Sequence, residues 1–245
     1  MQELLKVENL SKSDILKGIG FSVYQGEMIA IMGPSGSGKS TLLYCVSGMD
    51  KTDEGKVTLN ETELTSLTEE GKSELRLNRM GFVFQQMNVL PDLNVMDNII
   101  FTSVYAKGKK HEKEIREKAT GLLKEFGIDD ITDHMTNEVS GGQLQRACIL
   151  RSMMMDPEIL FADEPTGALN QRAAGTVIDS FLKINKSGVT ILMVTHDSKV
   201  ALKCDRVLYI LDGELKGELE LGKYDPSRED ERQQRINTWL NSFGW

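Results

Sequence analysis

Residues 28–46 of this chain read MIAIMGPSGSGKSTLLYCV, and they are its most informative stretch. An apolar run of strand type ends at Met32, and the stretch from Gly33 to Ser40 matches the pattern G-x-x-x-x-G-K-[ST] in full. From Thr41 onward the residues are typical of a helix. Glycines in such a loop let successive backbone N–H groups point inward, and the helix adds the positive end of its dipole. The stretch therefore predicts a phosphate-binding loop in an α/β fold.

The side chains of this loop predict how a nucleotide and a metal ion are held. Lys39 supplies a positive charge to the β- and γ-phosphates, and the hydroxyl of Ser40 can ligate Mg²⁺. The residues that we expect to bind the nucleotide here are Gly33, Ser35, Gly36, Gly38, Lys39, Ser40 and Thr41. A glycine-rich turn that matches by chance is the alternative, but the strand before the loop and the helix after it argue against that.

Continuous apolar runs recur along the chain, at 29–32, 82–84, 159–162 and 189–194. None of them has a polar face, which is typical of the parallel strands buried inside an α/β sheet. The residues that follow these runs are polar or glycine: Gly33, Gln85, Asp163 with Glu164, and Thr195 with His196. Because ligands of open α/β sheets bind at the carboxyl ends of the strands, these endings predict one site at one edge of the sheet.

Asp163 and Glu164 are adjacent carboxylates at the end of one predicted strand. Neighbouring residues of an extended strand point to opposite sides, so the pair can divide two tasks. We expect Asp163 to anchor the metal and its water shell, and Glu164 to face the γ-phosphate and polarise the attacking water. An ordinary polar strand cap is the alternative, and the Lys39 loop in the same chain favours the catalytic interpretation.

The remaining segments predict the rest of the architecture. Short β-type runs at 6–10, 19–23 and 56–59 indicate an antiparallel sheet, with a turn at Asn60-Glu61 and a hairpin turn at Gln25-Gly26-Glu27. Residues 107–127 have the spacing of a helix–loop–helix unit and could form a small helical lobe with the residues before them. We therefore expect a helical subdomain at about 88–155.

The C-terminal tail carries apolar residues at helical spacing, Ile236, Trp239, Leu240 and Phe243. We expect a terminal helix that packs on the protein's own core, and a helix that faces a partner or a membrane is the alternative. The predicted division of the chain is a nucleotide-binding domain at 1–222 and a helical tail at 223–245.

Composition excludes several classes of function. The chain has 245 residues with 29 Lys and Arg against 37 Asp and Glu, a net charge of −8, and such an acidic chain lacks the charge for non-specific nucleic-acid binding. Cys45, Cys148 and Cys204 lie far apart, which excludes a disulfide framework and a zinc site. We see no signal peptide and no apolar run of about 18 residues, so we expect a protein of the reducing cytosol without its own membrane span.

Further motifs resemble one known family. Ser140-Gly141-Gly142-Gln143, followed by Gln145-Arg146, is similar to the signature motif of the ATP-binding cassette ATPases. Gln85 is similar to that family's Q-loop glutamine, and His196 is similar to its switch histidine. The motifs stand in the family's order, and the resemblance extends from Leu5 to about Gly217.

The resemblance implies a fold, an activity and partners. The fold is a P-loop NTPase core with a mostly parallel sheet, an N-terminal antiparallel β subdomain and a small α-helical subdomain. The activity is ATP hydrolysis with Mg²⁺. In it, Glu164 acts as the general base, Gln85 contacts the metal ion and the attacking water, and His196 contacts the γ-phosphate. The implied metal ligands are Ser40, Gln85 and Asp163.

The signature also predicts a homodimer. A serine and two glycines at a helix start form a second anion-binding N-terminus, and one nucleotide needs only one phosphate cradle. In the family, each signature closes on ATP held by the partner's loop, so two ATPs are sandwiched between two copies. The residues that take this part here are Ser140, Gly141, Gly142 and Gln143.

Two positions depart from the family's pattern. The aromatic residue that stacks on adenine is missing from the shortened segment 11–18, and Tyr24 is the nearest substitute in the sequence. We therefore expect weak discrimination between nucleobases. Asn170 stands where the family's D-loop commonly has Asp, which bears on coupling across the dimer.

Residues 81–86 and 163–170 resemble the branch that serves lipoprotein-releasing and macrolide exporters and antimicrobial-peptide resistance. This implies a separate membrane permease, contacted by the apolar residues of 86–98, and a cytoplasmic location at the inner face of the plasma membrane. Packing of these residues inside the helical lobe is the alternative.

For the function of the whole chain, the alternative is a regulatory cassette that signals through a permease. A third class, the cassettes that act on ribosomes or DNA, usually carries two cassette units or a long insertion, and we see neither in this sequence.

Overall fold

The computed structural model describes residues 2–245, which form two sheets flanked by helices. The strands are β1 (Glu3–Lys12), β2 (Leu16–Tyr24), β3 (Met28–Met32), β4 (Glu54–Leu59), β5 (Thr62–Glu63), β6 (Met80–Val83), β7 (Ile159–Asp163), β8 (Thr190–Val194), β9 (Arg206–Leu211) and β10 (Glu214–Glu220). The α-helices are α1 (Lys39–Val46), α2 (Glu69–Arg79), α3 (Val95–Lys107), α4 (Glu112–Glu125), α5 (Gly141–Met153), α6 (Gln171–Lys186), α7 (Ser198–Ala201) and α8 (Glu229–Asn241).

The larger sheet has six strands in the order β10-β9-β3-β8-β7-β6. All of its strand pairs are parallel except the edge pair β9–β10. Every residue of β3, β7 and β8 is buried, because helices or the second sheet cover both faces, as the continuous apolar runs predict. The pairs Ile31–Val194 and Asp163–Val194 put the carboxyl ends of these three strands level with one another.

The smaller sheet is antiparallel, with the order β2-β1-β4-β5. Its apolar side chains pack against one face of the larger sheet, in a cluster that includes Leu5, Val57, Ile29 and Leu42. The fold class predicted from the sequence is thus confirmed, with a mostly parallel sheet, an antiparallel N-terminal sheet and a group of helices.

The predicted hairpin at Gln25-Gly26-Glu27 is wrong. A turn is present, since the Glu27 amide donates to the Tyr24 carbonyl at 3.0 Å. However, β2 belongs to the smaller sheet and β3 to the larger one, so the chain crosses between the sheets at this turn. The physical reason is that β3 is apolar on both sides, and its burial is completed by the parallel neighbours β8 and β9.

Helices α3, α4 and α5 share an apolar cluster of their own, formed by residues such as Val95, Ile99, Leu123 and Leu150. This cluster lies within the segment for which the sequence predicts a helical subdomain. The exact division of the chain into 1–222 and 223–245 stays a prediction.

The C-terminal helix α8 packs on the larger sheet. Ile236 and Leu240 are buried there, and the rings of Trp239 and Phe243 pack around Tyr209. The stripe predicted from the sequence therefore faces the protein's own core. In the described part of the chain, no helix combines the length and the apolar character that a bilayer crossing requires.

The sequence analysis does not predict the β9–β10 hairpin or helix α2, although the sequence contains a typical turn and a typical helix cap at these places. The β9–β10 hairpin turns at Asp212-Gly213, where both residues have positive φ, 51° and 79°. An Asp-Gly pair between apolar runs is a strong signal for such a turn. Helix α2 begins after Thr68, whose side chain caps it by accepting from the Gly71 amide.

Candidate nucleotide-binding and active site

The loop 33–38 joins the carboxyl end of β3 to helix α1 at the edge of the larger sheet. Gly33 has φ 150° and lies against β9, where a Cβ would be only 2.0 Å from the Ile210 carbonyl oxygen. No other residue fits at this position without displacing the backbone. The close approach of β3 to β9 therefore requires the first glycine of the motif.

Lys39 lies inside the curl of this loop, with its Nζ donating to the Pro34 carbonyl at 2.8 Å. Burial lowers its pKa, and the nearby carboxylates Glu164 and Asp163 act in the opposite direction. The buried hydroxyl of Ser37 has no hydrogen-bond partner among residues 2–245. A cation and an unpaired hydroxyl beside the amide groups of the loop are the features that a phosphate group would satisfy.

Asp163, at the end of β7, is buried against helix α1. Its Oδ1 accepts from the Ser40 hydroxyl at 2.8 Å, and its Oδ2 accepts from the Tyr44 hydroxyl at 2.6 Å. Burial, followed by the hydrogen bond to Asp163, raises the pKa of Tyr44, so its hydroxyl stays a donor. Sequence reasoning missed Tyr44, although it lies one helical turn after Ser40 on the same face.

The donor set beside the loop fits Mg²⁺ rather than a metal held by protein alone. Within the described residues there is no group of three or more His, Cys, Asp and Glu side chains that could hold a metal ion. Mg²⁺ is commonly bound through one or two carboxylates together with substrate phosphates and waters. Ser40, Asp163 and Gln85 can supply the protein's part of such a shell.

Glu164 follows Asp163 in an unusual backbone conformation, with φ 43°. Its amide donates to the Val194 carbonyl at 3.1 Å, which holds the strand end in place. A left-handed conformation at a non-glycine residue costs of order 1–3 kcal/mol and is often found at active sites. The Glu164 Oε2 lies 3.2 Å from Nδ1 of His196, so the structure brings these two predicted catalytic residues together.

Gln85 joins the same group. A Cβ on Gly167 would lie 2.9 Å from the Gln85 Nε2 and 3.3 Å from the Glu164 Oε2. The amide of Gln85 and the carboxylate of Glu164 therefore meet at Gly167, and His196 contacts the same carboxylate. The three predicted catalytic side chains converge at the strand ends as their sequence positions suggest.

The signature residues lie at a different place. Ser140 caps α5 in a capping box, in which its Oγ accepts from the Gln143 amide at 3.3 Å and the Gln143 Oε1 accepts from the Ser140 amide at 3.1 Å. They line a cavity of about 380 Å³ together with residues from 168 to 176, and no residue of the loop 33–40 lines it. Within one chain, the signature and the phosphate loop thus do not share a cavity.

Asn170 begins helix α6 and accepts from the Ala173 amide at 3.0 Å. Aspartate is an equally good cap at such a position, so helix capping does not explain the departure from the family's pattern.

The prediction that Tyr24 substitutes for the missing adenine-stacking residue is wrong. It ends β2 next to Gly26, whose amide donates to the Oγ1 of Thr190 at the start of β8. The phosphate loop follows the opposite end of these strands. Two apolar side chains lie beside the loop: a Cβ on Gly38 would be 3.0 Å from the Cδ2 of Leu16, which is buried, and 3.3 Å from the Cγ2 of Ile15, which is 43% exposed.

We expect ATP and GTP to bind with dissociation constants within about threefold of each other. The aliphatic Ile15 has no hydrogen-bonding group that could distinguish adenine from guanine. It also cannot supply aromatic stacking, which contributes about 1–3 kcal/mol per base for either nucleotide. Titration with fluorescent ATP and GTP analogues measures this, and Ile15→Tyr should tighten binding of both. A strong preference for ATP in the parent chain would contradict the prediction.

The phosphate loop and the strand ends around it place this chain in the class of P-loop nucleotide hydrolases. The family model described as "ABC transporter" matches residues 16–167. The chain therefore belongs to the ABC transporter family as an ATP-binding chain, and it is an ATPase.

Relatives and solved structures agree with this assignment. The lipoprotein-releasing system ATP-binding protein LolD of Aquifex aeolicus is 43% identical over 89% of this chain and 99% of its own length. The bacitracin export ATP-binding protein BceA of Halalkalibacterium halodurans is 41% identical over 90% of this chain and 86% of its own. The macrolide export protein MacB of Bdellovibrio bacteriovorus is 35% identical over 94% of this chain, which spans 35% of that protein.

The fold also matches a dimeric structure of the ATP-binding cassette MJ0796 in a post-hydrolysis state with ADP and Pi. The TM-score is 0.80 at 33% identity, over 90% of this chain and 100% of that one. The family and fold predicted from the sequence are confirmed. The roles of the individual site residues remain predictions.

Proposed function

We propose that this chain is the ATP-hydrolysing subunit of an exporter that acts with a separate membrane permease. The cargo that we propose is an antimicrobial peptide, a lipoprotein or a similar amphipathic molecule. Similarity to LolD, BceA and MacB supports this branch. In this proposal the chain is cytoplasmic and is held at the inner face of the plasma membrane by the permease.

The observation that carries the permease proposal is an exposed apolar groove. It has a volume of about 550 Å³ and lies between β6 and the helices α2, α3 and α5. Four apolar side chains that line it are exposed to solvent, Met49 at 40%, Leu90 at 42%, Phe101 at 52% and Tyr105 at 80%. Unpaired apolar groups in a groove with a polar rim are typical of a protein interface.

The loop that follows Gln85 is held at the edge of this groove by hydrogen bonds. The Asn98 side chain accepts from the Leu90 amide at 2.8 Å and donates to the Leu90 carbonyl at 3.0 Å. Arg151 donates to the carbonyls of Met87 and Asn88 at 2.8 and 2.9 Å. The loop leads from Gln85 at the active site to the groove, so a partner seated there would act on the catalytic groups.

Residues 86–98 include both buried and exposed apolar side chains. Val95 and Met96 are buried in the cluster of the helical lobe, as core packing requires. Leu90 stays exposed and lines the groove.

At the active site, we propose that two copies of the chain enclose two ATP molecules. Lys39 and the amides of its loop bind the phosphates, and the signature residues from Ser140 to Gln143 complete the pocket of the other copy. Mg²⁺, held by Ser40, Gln85 and Asp163, would neutralise charge on the β- and γ-phosphates.

Glu164 takes the part of general base in this proposal. Its carboxylate lies at the strand end, within 3.2 Å of the His196 Nδ1, so the imidazole orients it. The carboxylate accepts a proton from the attacking water as the γ-phosphate is cleaved. In the same proposal, the amide of Gln85 helps to position the attacking water.

Purification together with the co-encoded permease tests the transport function. In liposomes, we expect a cationic antimicrobial peptide to stimulate ATP hydrolysis severalfold. Binding of the peptide without any change in turnover would instead support a regulatory cassette.

The double variant Phe101→Ser/Tyr105→Ser tests the groove. We expect it to lose the permease on purification and to lose the stimulation. Trp245→Ser is the control, because Trp245 is a similarly exposed aromatic residue that does not line the groove. Full retention of the permease by the double variant would overturn the groove as the docking site.

A further inference from the structure

The carboxylate of Asp163 is held at both oxygens by side chains of one helix. Ser40 and Tyr44 lie one turn apart on α1, so their side chains share a face of the helix. The Ser40 hydroxyl donates to Oδ1 at 2.8 Å, and the Tyr44 hydroxyl donates to Oδ2 at 2.6 Å. Hydrogen bonds to a charged acceptor are shorter and stronger than neutral ones.

The second hydrogen bond fixes the orientation of the Asp163 carboxylate. The last torsion of an aspartate side chain is broad and roughly two-fold, so a single hydrogen bond leaves the carboxylate free to swing. A second donor on the other oxygen removes this freedom. A swing of the carboxylate would also turn the Ser40 hydroxyl, because this hydroxyl donates a hydrogen bond to Asp163. The oxygen lone pairs of Ser40 would then no longer face the metal.

The tyrosine is itself well anchored. It stands in the last turn of α1, and its carbonyl accepts from the amides of Met49 and Asp50 at 2.9 and 3.1 Å. The Ser47 hydroxyl donates to the same carbonyl at 3.1 Å. The phenol therefore projects from a fixed backbone, and the position of Asp163 is set by the helix that also carries Lys39.

We propose that Tyr44 is a positioning residue for magnesium binding: through Asp163 it keeps the carboxylate and the Ser40 hydroxyl in the orientation that Mg²⁺ with ATP requires. This inference rests on the proposed roles of Ser40 and Asp163. Tyr44 lies outside the G-x-x-x-x-G-K-[ST] pattern, and its role depends on a phenol that reaches across from helix to strand.

The test is Tyr44→Phe in the full chain, which keeps the ring and removes the hydroxyl. The affinity for a fluorescent ATP analogue is measured in EDTA and in excess Mg²⁺. We expect the affinity in EDTA to stay unchanged, and the gain in affinity caused by Mg²⁺ to fall about five- to tenfold. In turnover, the Mg²⁺ concentration for half-maximal rate should rise by a similar factor, with kcat at saturating Mg²⁺ within about twofold of the parent.

A double-mutant comparison and a control separate positioning from packing. In an Asp163→Asn background, Tyr44→Phe should add no further loss, because the two residues act through one contact. Tyr209→Phe is the control, since the described residues include no hydrogen-bond partner for the Tyr209 hydroxyl; it should leave both affinities unchanged. Equal weakening in EDTA and in Mg²⁺ by Tyr44→Phe would show a packing role and overturn the inference.

The same measurements distinguish this inference from the site proposal. If Ser40→Ala and Asp163→Asn both leave the gain from Mg²⁺ unchanged, the proposed magnesium site fails, and the inference fails with it. If these two variants abolish the gain while Tyr44→Phe has no effect, only the role of Tyr44 is wrong.

Discussion

Glu164→Gln is expected to reduce ATP turnover by at least about a hundredfold while ATP binding remains. A positioned general base typically contributes a factor of 10²–10⁴, and an amide cannot accept the proton. The side chain keeps its size and can still contact His196, whose Nδ1 lies 3.2 Å from the carboxylate in the parent. The phosphate loop and Asp163 are untouched, so binding of nucleotide and metal should persist.

We further expect this variant to accumulate as a dimer when ATP and Mg²⁺ are present, since the proposed sandwich would form and would not be opened by hydrolysis. Phosphate release measures turnover, and light scattering after size-exclusion chromatography measures the mass. Glu220→Gln, at an exposed position on β10, removes the same charge far from the site and should behave as the parent. Retention of more than about a tenth of the parent's kcat by Glu164→Gln would assign the base to another group.

Arg232→Met is expected to destabilise the protein by about 3–5 kcal/mol, because a buried acceptor left without its donor costs about 1–3 kcal/mol and several carbonyls lose theirs here. Arg232 is only 3% exposed, and burial lowers its pKa. Its guanidinium donates to backbone carbonyls that follow α7 and β10: Leu202 and Cys204, each at 2.6 Å, Leu221 and Gly222, each at 3.0 Å, and Lys223 at 3.2 Å. Methionine keeps the apolar stem but leaves these buried acceptors unpaired.

Thermal and urea unfolding measure this effect, and a chain of this length should lose about 2–4 °C in Tm per kcal/mol. Arg235→Met is the matched control, because Arg235 is exposed on the same helix and donates to a single carbonyl, that of Glu220. We expect it to cost less than about 1 kcal/mol. Equal losses for the two variants would show that α8 is held by its apolar stripe alone.

The Arg232 network also connects the C-terminal helix to the active site. Leu202 follows α7, which begins two residues after His196. The Gln233 side chain, next to Arg232, donates to the Ser198 hydroxyl at 3.3 Å. Loosening of α8 should therefore lower turnover at temperatures where the variant is still folded.

Much of the fold and the site is predictable from local patterns. The phosphate loop is predictable because its glycines and Lys39 stand at fixed spacing between a strand and a helix. Gln85, Glu164 and His196 are predictable as a group because each follows a run that is apolar on both sides, and such runs become parallel strands whose ends meet at one edge.

Other features escape the sequence because they depend on contacts between distant segments. The pattern 19–23, turn, 28–32 is equally compatible with a hairpin, and only the pairing of β3 with β8 and β9 separates the two strands. The prediction for Tyr24 is wrong for the same reason. Its short distance in sequence from the phosphate loop does not show that it lies at the opposite end of the strands from that loop.

Local patterns are enough to predict the class of fold, the phosphate loop and the polar residues at the strand ends, because each of these is encoded within a few neighbouring residues. Packing between distant segments fixes which sheet each N-terminal strand joins. It also brings Tyr44 to Asp163 across 119 residues of chain and Arg232 to carbonyls of two separate segments. These contacts arise when strands and helices pack side by side, and their partners can come from any part of the chain.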